Sequence, residues 1–458
     1  MKPPKLDMTA QFKEAFRLME KTSTNVLVTG RAGTGKSTLL NYFRYTTSKK
    51  IVVLAPTGVA AVNVEGQTIH SFFGFLPDVT VEKVGKLKPK KKEIYKELHT
   101  IVIDEISMVR ADLLDCIDVF LQKWGRVKGV AFGGIQMVFL GDMYQLPPVV
   151  GSSERDIFAN RYKSPYFFSS DAMNQRQQAM LTEPMTLSVV ELEKIYRQRE
   201  NHFITLLNAV RTNTITSDMI GRLNERCRED FRPAKNEHYI TLTTTNAMAE
   251  AENAEHLAKL SGKQHTFYGK MSGEVDRKTL PADATLAVKV GAQVMMLNND
   301  GVGRWINGSV GTVLEIIPAD VDTPIRIVVR LENGKRVEVG PHHWDVFKFS
   351  FDSSAREIVS ETVGTFEQYP MRLAWAVTIH KAQGKTFEKV IVDLGRGAFA
   401  TGQTYVALSR CTSFDGLVLR RPVRKSDVKI DRHIVDFVSG LPVNRFVAEE
   451  EVRSAEGR

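Results

Sequence analysis

The chain is poor in the features that mark several large protein classes. Only three of its 458 residues are cysteine, Cys116, Cys227 and Cys411, far apart and without C-x-x-C spacing. That spacing gives neither a disulfide framework nor a zinc site, and it points to a reducing compartment. The ten histidines are scattered, with no run at metal-ligand spacing. No apolar stretch approaches the roughly 20 residues that cross a bilayer. The start, Met1-Lys2-Pro3-Pro4-Lys5, leads into a polar segment rather than an apolar signal region, so neither secretion nor a membrane partner is expected. No repeat of fixed period is visible.

What is present is an ordinary globular composition, 43% hydrophobic and 25% charged, long enough for about two to four domains. The net charge is +9, which favours polyanionic partners without proving them. The densest basic run, Lys83-Val84-Gly85-Lys86-Leu87-Lys88-Pro89-Lys90-Lys91-Lys92, reads either as a solvated loop or as a contact to a phosphate backbone.

The most specific local pattern is Gly30-Arg31-Ala32-Gly33-Thr34-Gly35-Lys36-Ser37, which fits G-x-x-x-x-G-K-[ST] throughout. It follows the apolar run Val26-Leu27-Val28 and precedes a helical segment beginning at Thr38, the strand–loop–helix context that the motif requires. Glycines let main-chain N–H groups close around phosphates, and Lys36 brings a charge to the β/γ-phosphates. The Ser37 hydroxyl is placed to ligate Mg²⁺. The chain therefore reads as binding a nucleoside triphosphate. Three further apolar runs, Ile51–Leu54, Thr100–Ile103 and Gln136–Leu140, alternate with helical segments, which predicts a parallel α/β sheet with its chemistry at the strands' carboxyl ends. Asp104-Glu105 ends one of them: an aspartate to hold Mg²⁺ and a glutamate to orient or deprotonate water. Gln145 follows another and suits a γ-phosphate sensor. Phosphoryl transfer also needs cations at the γ-phosphate, and Arg197 and Arg410 are the candidates, Arg197 at the end of an expected helix. From about residue 181 a second α/β set begins. Within it, residues 309–350 alternate polar and β-branched residues around an Asn333-Gly334 turn, which reads as an all-β insertion.

Taken in order, these motifs resemble those of the petite-integration-frequency (Pif) family of superfamily-one DNA helicases, in the RecD-like branch, over roughly residues 8 to 420. Ala55-Pro56-Thr57-Gly58-Val59-Ala60-Ala61 resembles motif Ia, and Gly66-Gln67-Thr68-Ile69-His70-Ser71-Phe72-Phe73 motif Ib. Ile103–Met108 resembles motif II, and Phe132-Gly133-Gly134-Ile135-Gln136 with Gly141-Asp142 and Gln145-Leu146-Pro147-Pro148 a signature of this family. Ile195-Tyr196-Arg197-Gln198, Thr378–Thr386 and Gln403–Arg410 resemble motifs IV, V and VI.

The resemblance implies two RecA-like P-loop domains with parallel sheets, a small wedge inserted in the first and an SH3-like β-barrel in the second. The expected boundaries are 1–180 for the first domain with its wedge at about 74–98, 181–311 plus 371–438 for the second, 312–370 for the barrel, and a flexible tail over 439–458. It also implies ATP with Mg²⁺ in a cleft between the domains, and a cycle in which hydrolysis reopens that cleft. The nucleotide site then comprises Gln11 as an adenine reader, Gly30, Ala32, Gly33, Thr34, Gly35, Lys36, Ser37, Thr38, Gln145, Arg197, Gly384 and Arg410. Pro56, Thr57, Gly58, Val59, His70, Ser71 and Phe72, with Thr378, His380 and Lys381, are implied on DNA, Pro56 and the phenylalanines offering surfaces to bases. The partners implied are single-stranded DNA, forked duplex, G-quadruplexes and RNA–DNA hybrids, met by a monomer moving 5′ to 3′. The absence of an evident transit sequence suggests a bacterial or phage protein acting at the nucleoid. Two other readings share the ATPase motifs: a superfamily-one RNA helicase, and a nucleotide-gated binding switch that does not translocate.

Overall fold

Strands that are apolar at every position need cover on both faces, and the first sheet of this protein has it. The computed structural model describes residues 8–76, 79–89, 92–151, 155–174, 187–234, 237–273, 275, 280–320, 323–352 and 357–441. It divides into two units, one of Met1–Arg197, Phe349–Ser360 and Asp431–Arg458, the other of Gln198–Lys348 and Glu361–Ile430.

In the first unit, β1 (Asn25–Gly30), β2 (Ile51–Ala55), β3 (Gln67–Thr68), β4 (Thr100–Ile103), β5 (Gln136–Leu140) and β6 (Leu187–Leu192) form one sheet in the order β3-β2-β4-β5-β1-β6. Every pairing is parallel. Alternate residues divide between two cores. Leu27, Ile101, Ile103 and Phe139 face Leu114, Ile117 and Phe120 of α7 (Ala111–Trp124). Val26, Val28, Val102 and Val138 face Phe12 and Met19 of α1 (Ala10–Lys21) and Leu40 and Phe43 of α2 (Lys36–Thr46). Between them in sequence come α3 (Gly58–Asn63), α4 (Ile69–Phe73), α5 (Val81–Lys86) and α6 (Glu93–Glu97); α8 (Arg155–Arg161) and α9 (Asp171–Asn174) follow α7.

The expected boundary at residue 180 is corrected. β6 pairs with β1 along its whole length, from Asn25↔Leu187 to Gly30↔Leu192, so the first unit keeps the chain as far as Arg197. In the segment expected as a wedge, Val84, Ile94 and Tyr95 join the core beside Phe73 and Phe120. Lys88 and Lys92 are exposed, whereas Lys90 and Lys91 lie outside the described residues.

The second unit opens with α10 (Asn201–Arg211) and α11 (Ser217–Asn224), then β7 (Ile240–Thr243) and α12 (Asn246–Lys259). Next come β8 (His265–Tyr268), β9 (Lys270–Gly273), β10 (Thr285–Val288), β11 (Gln293–Met296), β12 (Val310–Ile317), β13 (Arg326–Leu331), β14 (Arg336–Val339), β15 (His342–Asp352), β16 (Glu357–Gln368) and β17 (Met371–Leu373). The chain ends this unit with β18 (Ala376–Thr378), β19 (Val390–Asp393), α13 (Gln403–Leu408) and β20 (Leu417–Leu419). β18, β7, β19 and β20 make a second parallel sheet in that order. An antiparallel sheet of order β14-β13-β12-β11-β17 is inserted in it, packed around Val294, Val313, Ile327, Val329, Val337 and Met371.

The insertion is therefore longer than the expected 312–370. β11 and β17 belong to it, while β16 leaves it to pair with β9. The chain then returns to the first unit as α14 (Arg432–Ser439), with the Phe437 ring stacked on Phe168 at 4.1 Å and Tyr166 Oη donating to Asp431 at 3.1 Å. Of the expected tail, residues 442–458 lie outside the described residues.

Candidate functional site

A sheet whose strands all run one way collects the residues that follow those strands along a single edge. In the first unit, that edge carries motif Ib after β3, Ia after β2, Asp104-Glu105 after β4, Gly141-Asp142 after β5, the glycine loop after β1, and Arg197 after β6. Motifs far apart in sequence become neighbours in this order.

The loop is shaped by three left-handed or otherwise glycine-only positions, Gly30 (φ 151), Gly33 (φ 81) and Gly35 (φ 90). A Cβ on Gly30 would stand 2.5 Å from Leu192 O of β6. Lys36 and Ser37 open α2, whose first N–H groups face the loop. Thr34 Oγ1 donates to Arg31 O at 2.9 Å, and Lys36 Nζ donates to Gly30 O at 2.6 Å and Arg31 O at 3.0 Å. Ala32 is buried, and Ser37 and Thr38 are exposed.

Arg197 was expected at a helix end in the second domain. It stands instead in the extended segment after β6, in the same unit as the loop. Tyr196 N donates to Gly33 O at 2.9 Å, and a Cβ on Gly33 would stand 2.5 Å from Arg197 Cβ. Gln11, in the first turn of α1, donates to Glu193 Oε2 at 3.1 Å on the same segment. Sequence reasoning passed over Glu193, whose signal was the polar stretch that closes an apolar strand, and quoted Tyr196 in motif IV without giving it a role.

Asp104 is buried, and its main-chain N–H donates to Leu54 O at 2.9 Å. Burial and the Glu105 charge push its carboxyl up to about 7, against the opposing pull of Lys36. Glu105 occupies a left-handed position (φ 51, ψ 44), an uncommon one for a residue with a side chain. Gly141 lets the turn after β4 approach: a Cβ there would stand 3.2 Å from Ile106 N. Gln145 is buried in the turn after Asp142, its N–H donating to Asp142 O at 3.0 Å. The donor set suits Mg²⁺, since a carboxylate and the Ser37 hydroxyl are hard oxygen ligands. A divalent cation at Asp104 acts in the same sense as Lys36 and favours the ionised carboxylate.

Of the residues expected on DNA, Pro56, Thr57 and Gly58 are partly exposed where β2 meets α3, with Ala60 N donating to Thr57 Oγ1 at 3.2 Å. The Val59 side chain lies outside the described residues. His70 is half-buried, its pKa lowered by burial, and Ser71 is exposed. Phe72 is corrected. It is 7% exposed, edge-on to Phe73 at 4.9 Å and Tyr95 at 5.5 Å, and offers no free face to a base.

In the second unit, Thr378 ends β18 and caps the turn that follows, with Lys381 N donating to its Oγ1 at 3.3 Å. His380 is half-buried, with a pKa lowered by burial, and Lys381 and Gly384 (φ 78) are exposed. Arg410 is 1% exposed, and its guanidinium donates to Val406 O at 2.9 Å, Lys385 O at 3.1 Å and Ser409 Oγ at 2.9 Å.

Comparison with known proteins gives a consistent picture. The family model described as "PIF1-like helicase" matches residues 8–219. The chain is 31% identical to the ATP-dependent DNA helicase Pif1 of Bdellovibrio bacteriovorus over 90% of its own length and 88% of that protein. It superposes on the crystal structure of a Bacteroides Pif1 in complex with ADP-AlF4 with a TM-score of 0.81 and 33% identity, covering 99% of this chain and 98% of that one. A second structure, of Bacteroides Pif1 bound to ssDNA, gives a TM-score of 0.68 at 34% identity over the same shares.

Proposed function

The chain belongs to the PIF1-like family of ATP-dependent DNA helicases, and from that premise we propose that it moves 5′ to 3′ along single-stranded DNA and opens forked duplex ahead of it. The observation that carries the reading is the shared carboxyl edge of the first sheet. There the phosphate loop and Asp104-Glu105 stand in one row with motifs Ia and Ib. Chemistry at the loop and at Asp104-Glu105 can thus be felt along the same edge, where Thr57 and His70 with Ser71 follow β2 and β3, one and two strands from β4, and are placed to hold a backbone.

In this reading Lys36 exchanges the Gly30 and Arg31 carbonyls for β/γ-phosphate oxygens, and Ser37 and Asp104 hold Mg²⁺. The ion, when bound, neutralises charge on the phosphates. Glu105 orients and deprotonates water, and its left-handed backbone fixes its position independently of Asp104. Gln145 reports the γ-phosphate to the turn after β5. Arg197 and Arg410 stabilise the charge that spreads over the transferred group, Arg410 by leaving the Val406, Lys385 and Ser409 oxygens. Hydrolysis removes the group that both arginines read, which supplies a two-state switch for gripping DNA. Thr378, His380 and Lys381 serve the second unit's grip. G-quadruplexes and RNA–DNA hybrids as further substrates, a monomeric working state and action at a bacterial nucleoid belong to the same proposal.

The test is strand displacement on forked substrates carrying a single 5′ or a single 3′ tail, in DNA and in RNA. Unwinding from the 5′ DNA tail supports the proposal. Unwinding from RNA alone supports the RNA-helicase alternative, and ATP-dependent binding without displacement supports the switch.

A further inference from the structure

The side chain that follows Arg197 is buried and doubly bound. Gln198 is 3% exposed, and its carboxamide nitrogen donates to Ser409 O at 3.1 Å and to Cys411 O at 2.8 Å. These carbonyls flank Arg410. A primary amide has two N–H donors, so this one group holds the peptide unit before the Arg410 Cα and the one after the Cys411 Cα. The opposite side of the same turn is also held: Phe387 N donates to Arg410 O at 2.9 Å, and Thr412 N donates to Phe387 O at 3.1 Å. A third tie lies beyond it, where Glu200 Oε2 accepts from Phe414 N at 3.2 Å.

The main chain that carries Arg410 is therefore clamped from two directions, and one of the clamps is a single side chain. The other is main-chain pairing, which side-chain truncation leaves in place. Whatever path the Arg410 guanidinium takes, its starting point and direction are set by the Cα that Gln198 holds. Catalysis by a positioned group is steep in geometry, with a displacement of about 1 Å costing about 10²-fold.

We propose that Gln198 is a positioning residue for Arg410: it holds the turn so that the guanidinium meets the γ-phosphate in register. The inference rests on the role given to Arg410 above. It assigns Gln198 no contact with nucleotide. Its removal acts on turnover through Arg410 alone, whereas a buried amide that merely satisfies two carbonyls acts on stability and leaves turnover of the folded protein unchanged.

The experiment compares full-length wild type, Gln198→Met, Gln198→Asn, Arg410→Lys and the Gln198→Met/Arg410→Lys double variant, each with a melting curve. The readouts are ssDNA-stimulated ATP turnover and the affinities for ADP and for ADP with aluminium fluoride. Methionine matches glutamine in length but lacks the donors. Gln198→Met should lower kcat about 10- to 100-fold while KM for ATP and affinity for ADP stay within about twofold, and the aluminium fluoride complex should weaken in parallel with kcat. Gln198→Asn, which keeps a carboxamide, should lose less. On the Arg410→Lys background, Gln198→Met should add less than about a twofold loss, because the guanidinium it positions is gone.

A wild-type kcat in folded Gln198→Met, or a loss that multiplies in full onto Arg410→Lys, overturns the proposal. Arg410→Lys at the wild-type rate overturns the role of Arg410 itself, a distinguishable failure. Should Gln198→Met be unfolded at the assay temperature, Gln198→Leu, which also lacks the donors, carries the same comparison with the same two outcomes.

Discussion

Gly33 has no room for a side chain and a backbone that few side chains tolerate. Its φ is 81°, and an added Cβ would stand 2.5 Å from Arg197 Cβ, an atom next to the main chain that cannot swing aside. Gly33→Ala should therefore cost about 1–3 kcal/mol of local strain and move residues 196–197 off the loop, breaking the Tyr196 N–Gly33 O bond of 2.9 Å. Steady-state kinetics should show kcat/KM for ATP falling about tenfold or more, with ssDNA affinity nearly unchanged; equal kinetics in mutant and wild type would detach Arg197 from the nucleotide site. Residues such as Lys36, Asp104 and Glu105 were legible in the sequence because their chemistry is set by spacing within a few residues. The surroundings of Phe72 were not. An aromatic beside a motif can point to solvent or to core, and only the long-range contact with Tyr95 decides for the core.

Elements show the same division between local and distant causes. Four of the first five strands, β1, β2, β4 and β5, were readable as apolar runs closed by polar motifs, whereas the two polar residues of β3 were not; β6 returns to β1 from 157 residues along the chain (187 minus 30), and nothing local announces its partner. The run Phe132–Gln136 was read as part of a family signature, and its visible work is structural. Phe132 N donates to Asp118 Oδ1 at 2.6 Å, and Gln136 binds Lys49, Thr100 and the Leu18 and Thr24 carbonyls. Two strands of the inserted sheet, β11 and β17, were missed because they are short and lie outside the run of alternating polar and β-branched residues.

That sheet is tied to the approach to β7 through His238, whose Nε2 lies 2.7 Å from Thr312 Oγ1. Burial holds the imidazole below its ordinary 6.5. The fold thus favours the neutral ring, and the stability it contributes is present above about 6.5 and is lost as pH falls from there through the lower folded value. Between about pH 7.5 and 5.5, wild type should lose more of its melting temperature than His238→Gln, which cannot titrate; parallel melting curves would show that this contact is insensitive to protonation. Across the segment between α4 and β4, Lys88→Ala with Lys92→Ala should flatten the salt dependence of fork binding by about one log–log unit per lost phosphate contact. An unchanged slope would return these exposed lysines to the role of a solvated loop.

The whole molecule places two parallel sheets in two units, the chain passing to the second at Gln198 and returning to the first by Asp431. The motif inventory was legible at this scale, since the motifs run along the sequence in family order, but their spatial order of Ib, Ia, II, the signature, the phosphate loop and IV comes only from strand pairing. The central claim is that ATP turnover at the first sheet drives directed movement along one strand. It is tested most directly without a duplex, by displacement of streptavidin from oligonucleotides biotinylated at one end. With ATP, wild type should strip streptavidin from the 3′ end and not the 5′ end, and Lys36→Ala, which lacks the cation for the β/γ-phosphates, should strip neither while still binding the strand. Displacement from the 5′ end, or none from either end by a protein that hydrolyses ATP on the same oligonucleotide, would contradict the account.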